Sequence, residues 1–248
     1  GTNCKVYPSI HPAFSQDSMR RGLTHANCRA VAKNFYAYGA EGVSSYNFFG
    51  QYRILPGNEI RIASRKYATA PADYLLSEWP RSLEYLTEIR DPKAVACGDR
   101  YYMYHPPQPE DADINTNLRI CRIIRLDRDT DSVVGSMRLR IAEDLTSPHL
   151  SATLEFKVTG MVESDEIEVE INSRLISAEQ IERTYQPDGQ QGDHRRVLPA
   201  FYLYHISLSS PPAMFGDNEL LLRLIKSSGT EKLTAQEFEV SVKDSQLH

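Results

Sequence analysis

The chain has 248 residues, 41% hydrophobic and 25% charged, with a formal net charge of −5; this is the balance of an ordinary globular protein and excludes a disordered or membrane-embedded chain. Its 28 basic and 33 acidic residues are interspersed, so no basic stripe marks it for nucleic acid or an anionic membrane, and no apolar run nears the roughly 18 residues that cross a bilayer. The opening Gly-Thr-Asn-Cys-Lys lacks the charged and apolar regions of a signal peptide, and a strand begins within a few residues; we expect a soluble fragment of a longer protein.

From Lys5 to Ile10 the residues read as a short strand, and the run from Ser15 to Ser18 offers N-caps for a helix. Met19, Leu23, Ala26, Ala30, Val31, Phe35 and Tyr38 then recur at three- and four-residue spacing, which predicts an amphipathic helix ending at Gly39. Residues 42–49 read as a second strand bounded by Gly50. Strand, helix and strand joined in this way form a βαβ unit with parallel strands.

After a loop at Leu55-Pro-Gly-Asn58, a second helical region is expected near Ala72, restarting at Pro80 and ending before Pro92. The stretch 101–110, with Pro106, Pro107 and Pro109, is too rich in proline for regular structure. It sets a boundary between a first region, residues 1–105, and a second, residues 106–248. The second region carries β-rich runs at 118–126, 133–141, 152–158, 166–171, 197–207, 219–225 and 238–242, several alternating apolar with polar residues. Turn signals between them predict an antiparallel β-sandwich of the jelly-roll kind.

Cys4, Cys28, Cys97 and Cys121 lie far apart without the close pairing of zinc or redox sites and are expected to be free buried thiols. The acidic run Asp127-Arg-Asp-Thr-Asp131 has the oxygens for calcium but lacks the glycine and distal glutamate of an EF-hand loop, so a solvated hairpin turn is the expectation. We therefore expect no metal and no cofactor. The polar stretch 185–194 reads as an exposed loop that contacts a glycan or nothing.

The segment 34–49, Asn-Phe-Tyr-Ala-Tyr-Gly-Ala-Glu-Gly-Val-Ser-Ser-Tyr-Asn-Phe-Phe, resembles the final barrel strand of glycoside hydrolases related to the family 42 β-galactosidases and their uncharacterised glycosyl-hydrolase-like relatives. In those proteins a helix ends in Gly-Ala-Asp-Gly before an aromatic-rich strand. Residues 165–172 and 216–224 look like strands of the sandwiches that follow such barrels, and of galactose-binding-like modules. The resemblance implies a mixed α and β fold: the last β/α units of a TIM-type barrel followed by the sandwich.

It also directs attention to carboxylates, because glycoside hydrolysis needs two flanking the scissile bond. The resembled enzymes carry an acid on strand four and a glutamate nucleophile on strand seven. This chain holds no counterpart of strand four, and residues 6–11 contain no carboxylate. Asp17 reads as a helix cap, and Glu41 stands at the wrong end of its strand for barrel chemistry. The chain alone is expected to be catalytically silent.

Sugar contact is expected from His11, past the end of its strand, and from Tyr46, Asn47 and Phe48, where aromatic faces and an amide suit a sugar and Phe48 stands where the resembled enzymes often carry tryptophan. Gln51 and Arg53 extend the set into the next loop. The competing reading of these residues is packing: a loop histidine and core or rim aromatics. The function expected is that of a part of a glycoside-hydrolase-like protein with a carbohydrate ligand. Alternatives are a noncatalytic carbohydrate-binding module and a structural or assembly protein completed by a missing N-terminal portion or by a second copy.

Overall fold

A computed structural model describes residues 4–10, 25–45, 52–55, 59–62, 65–69, 84–104, 123–128, 134–187, 199–209 and 211–247. The chain divides into two compact units, the first running to Tyr102 and the second beginning at Met103.

In the first unit, β1 (Ser9–Ile10) and β2 (Ser44–Ser45) pair in parallel on either side of α1 (His25–Ala37). The helix ends in a Schellman arrangement. Gly39 takes φ 89°, its N–H donates to Tyr36 O at 3.0 Å and the Ala40 N–H donates to Phe35 O at 3.0 Å. α1 is joined to α2 (Glu84–Ile89) and the segment after it by polar clasps. Tyr36 donates to Ile89 O at 2.8 Å, Asn27 to Tyr101 O at 3.1 Å and Arg29 to Asp99 O at 2.8 Å. β3 (Tyr52–Leu55), β4 (Glu59–Ile62) and β5 (Arg65–Thr69) form an antiparallel three-stranded sheet.

The expectation of a mixed α and β fold containing the end of a TIM-type barrel is overturned. The chain is mostly strand, 47% against 17% helix, with two α-helices and no barrel among the described residues. A barrel wall requires parallel strands closed by continuous hydrogen bonding. The βαβ unit does form, but its parallel ladder is two residue pairs long, and β3–β5 after it is antiparallel. The Leu55-Pro-Gly-Asn58 segment thus connects two antiparallel strands.

The second unit is a β-sandwich-like body of two antiparallel sheets. One has the order β11 (Arg174–Leu175), β10 (Glu166–Ile171), β14 (Gly216–Lys226), β8 (Val134–Ile141). The other has the order β12 (Ile181–Gln186), β13 (Phe201–Leu208), β9 (Leu150–Thr159), β15 (Leu233–Asp244), with β7 (Ile124–Leu126) also on β15; β6 (Arg100–Met103) spans the division between the units. Period-two alternation builds it: in β10 the isoleucines and valine are buried while the glutamates stay more exposed. Leu139, Val169 and Leu222 are buried on the first sheet, and Leu154, Ile206 and Val240 on the second. Phe156 stacks between Tyr204 and Phe238 on the neighbouring strands, with centroids at 4.9 and 5.1 Å.

Two strands correct the sequence reading. Arg100–Met103 is a strand despite the prolines that follow, and residues 181–186 form β12, so Tyr185 and Gln186 lie in a strand and not in a loop. No helix among the described residues is long and apolar enough to cross a membrane.

Candidate functional site

Of the residues the sequence singles out for sugar contact, His11, Tyr46, Asn47, Phe48 and Gln51 lie outside the described residues. Arg53 is placed in β3, paired with Arg61 of β4. Just before Tyr46, the Ser45 hydroxyl lies 2.5 Å from the Tyr85 hydroxyl. Glu41, which the sequence reading rejects as a nucleophile, pairs with Lys5 at 3.0 Å on the surface.

The most elaborate constellation stands at the end of the sandwich where β9 turns into β10 and β14 into β15. Asp165 is fully buried there, just before β10. Its carboxylate accepts from Arg128 Nη1 at 2.9 Å and Nη2 at 2.7 Å, and from the backbone N–H groups of Val162 at 2.9 Å, Ser228 at 2.7 Å and Gly229 at 3.3 Å. Arg128 spends its remaining N–H groups on Glu231 O at 2.5 Å, Gly160 O at 2.9 Å and the Ser227 hydroxyl at 3.1 Å. A guanidinium has five donors, and all five are engaged.

Burial pushes the Asp165 pKa up, but the Arg128 guanidinium and the three backbone N–H groups outweigh it and hold the carboxyl well below the ordinary aspartate value of 3.8. Asp165 is thus ionised at neutral pH with its acceptor capacity filled, which suits a structural fastening and not a general acid or a nucleophile. The acidic run at 127–131 contributes through its arginine: Arg128 is the cation beside Asp165. Among the described residues no group of three or more His, Cys, Asp or Glu is arranged to hold a metal.

On this fastened end rests an aromatic rim. β12 is the edge strand of its sheet, so Arg183 and Tyr185 project on the side of the buried Tyr204 and Tyr202 opposite them, yet remain exposed. Tyr185 and Tyr202 pack with ring centroids 5.3 Å apart and planes tilted by 58°, an aromatic cross-strand pair. Tyr202 is 9% exposed and Tyr185 is 55% exposed, so one ring anchors and the other faces outward. The Arg183 guanidinium lies over the Tyr202 ring, 4.8 Å from its centroid. It donates to Asp165 O and Glu163 O, each at 2.9 Å, so the rim and the Arg128–Asp165 fastening share the same turn.

Such an arrangement offers a flat apolar face beside fixed N–H donors, the two surfaces a sugar ring needs for its C–H face and its oxygens. Sequence reading passed over Arg183 and Tyr202. The available signal was the run Arg183-Thr-Tyr185, an arginine and a tyrosine two residues apart, which places both side chains on one side of any strand.

A second polar cluster lies in the first unit. Glu88 on α2 accepts from Arg29 Nη1 at 2.8 Å and lies 3.4 Å from His25 Nδ1. Burial pushes its pKa up, and the bonds from His25 and Arg29 overcome this and hold it below the ordinary glutamate value. Beside it, a cavity of about 430 Å³ is lined by Glu84, Thr87, Glu88, Arg90, Asp91 and Ala94. Its acids have no aromatic partner among these lining residues, and Glu88 already ties α2 to α1. No protein-family model matches the chain, and no curated protein is similar to it in sequence.

Proposed function

We propose that this chain is a noncatalytic carbohydrate-binding part of a glycoside-hydrolase-like protein, with Tyr185 as the stacking platform and Arg183 as the polar contact. The observation that carries the proposal is the half-exposed Tyr185 ring, held against Tyr202 beneath the stacked Arg183. Tyrosine supplies contact area at low entropic cost, and a ring braced by a buried neighbour loses less freedom on binding. The sandwich strands that resemble accessory and galactose-binding-like modules support the same reading.

The test is a glycan array probed with the whole chain and with Tyr185→Ala, accompanied by pull-down on insoluble polysaccharides. Retention of the parent chain, lost in Tyr185→Ala at an unchanged melting temperature, is the expected result. Absence of any retained glycan, or retention indifferent to Tyr185, contradicts the proposal.

A further inference from the structure

We infer that the Tyr185 rim selects sugars carrying an anionic group, a carboxylate or a sulfate, over neutral ones; this rests on the carbohydrate-binding reading above. The inference comes from the charge of the rim. The nearby acid, Asp165, is neutralised by Arg128 in a bidentate pair from which water is excluded. Arg183 is a different case. Its two hydrogen bonds go to the backbone carbonyls of Asp165 and Glu163, not to their carboxylates. Among the described residues its guanidinium enters no ion pair, so it is a cation of the rim whose charge is not spent on a direct carboxylate contact.

That charge is fixed in position. A guanidinium stays ionised throughout the accessible pH range, and stacking on Tyr202 together with two carbonyl contacts sets its plane. Two of its five N–H groups are committed to those carbonyls. At least two donors therefore remain for a ligand, next to the exposed Tyr185 ring. A neutral sugar satisfies hydroxyl donors only where acceptors are present, whereas an acceptor-only carboxylate or sulfate matches donors that are themselves charged. Preorganisation lowers the ordering cost of that contact.

The experiment compares matched ligands on the intact chain by isothermal titration: an oligogalacturonate against its neutral methyl ester, and a sulfated galactan oligosaccharide against its desulfated form. The expected result is that one or both anionic members bind about tenfold or more tightly than their neutral counterparts, the magnitude of one charge-assisted contact. The carboxylate and sulfate arms tell which group the rim takes. The preference is expected to shrink in 1 M salt, to vanish in Arg183→Gln and to survive in part in Arg183→Lys. The matched-ligand and salt comparisons use the unaltered chain, so they stand even if Arg183→Gln loosens the turn. Equal binding of neutral and anionic members, both lost in Tyr185→Ala, overturns the inference while leaving the carbohydrate-binding reading intact. Binding of neither pair contradicts both.

Discussion

Arg128 and Asp165 are 37 residues apart in the chain and meet as a buried two-pronged ion pair, the guanidinium nitrogens 2.9 and 2.7 Å from the two carboxylate oxygens. Through it the approach to β8, the β9–β10 turn and the β14–β15 loop are tied at one end of the sandwich, the turn that also holds Arg183. The pair has no chemistry to spare. Its value is that it fixes the backbone on which the exposed aromatic rim is carried.

Replacing Asp165 by alanine leaves the Arg128 charge buried and three backbone N–H groups unsatisfied. The expected loss is about 3–5 kcal/mol, the usual cost of removing one partner of a buried pair. Urea denaturation of Asp165→Ala against the parent chain measures it, and a loss below about 1 kcal/mol would mean that water replaces the carboxylate at little cost.

The same pair predicts an acid limb in the stability profile. The folded pKa of Asp165 is depressed, so its contribution is fully present above the unfolded aspartate value near 3.8 and is lost as pH falls from there through the lower folded value. Glu88, depressed by His25 and Arg29 after opposing its own burial, adds a loss of the same sign below the ordinary glutamate value of 4.5. Denaturation midpoints measured from pH 6 down to pH 2 are expected to fall, and Asp165→Asn is expected to flatten the lower part of that fall.

How much of this was legible in the sequence depends on where the governing contacts lie. β10 reads cleanly because its glutamates and its apolar residues alternate without a break, so period two fixes both ends. β12 does not, because an edge strand with four successive exposed residues has no buried face to impose alternation. β6 is obscured by Arg100, a buried arginine in an inward position that hydropathy assigns to solvent. The barrel expectation failed for another reason: a βαβ pattern specifies one parallel pairing and says nothing of how many strands follow. Asp165 reads locally as a turn residue, since only the fold brings Arg128 to it.

Thiol reactivity separates the cysteines. Cys28 is completely buried, and burial, aided by the Glu88 charge, pushes its thiol pKa well up, whereas Cys4 and Cys97 are exposed. Brief treatment of the native chain with iodoacetamide is expected to modify Cys4 and Cys97 and to spare Cys28, as read by peptide mass spectrometry. Labelling of Cys28 at a comparable rate would contradict its burial between the helix and its neighbours.

At the opposite end of the sandwich, buried Asn218 braces the loop that precedes β14. It accepts from Asn172 Nδ2 and Met214 N, each at 2.8 Å, and donates to Met214 O at 2.9 Å and Gly216 O at 3.1 Å. Asn218→Ala strands these groups and is expected to cost about 1–3 kcal/mol. Limited proteolysis is expected to cut the variant near the exposed Met214 and Phe215 while sparing the parent chain.

The central claim is that a carbohydrate rests on Tyr185. Its most direct measurement is calorimetric titration of the parent chain and of Tyr185→Ala with the best oligosaccharide from the glycan array. A dissociation constant weakened by about tenfold or more in the variant, with an unchanged melting temperature, is the predicted result, a tenfold change corresponding to about 1.4 kcal/mol of lost contact. Equal affinity in the two proteins would place the sugar elsewhere and contradict the account.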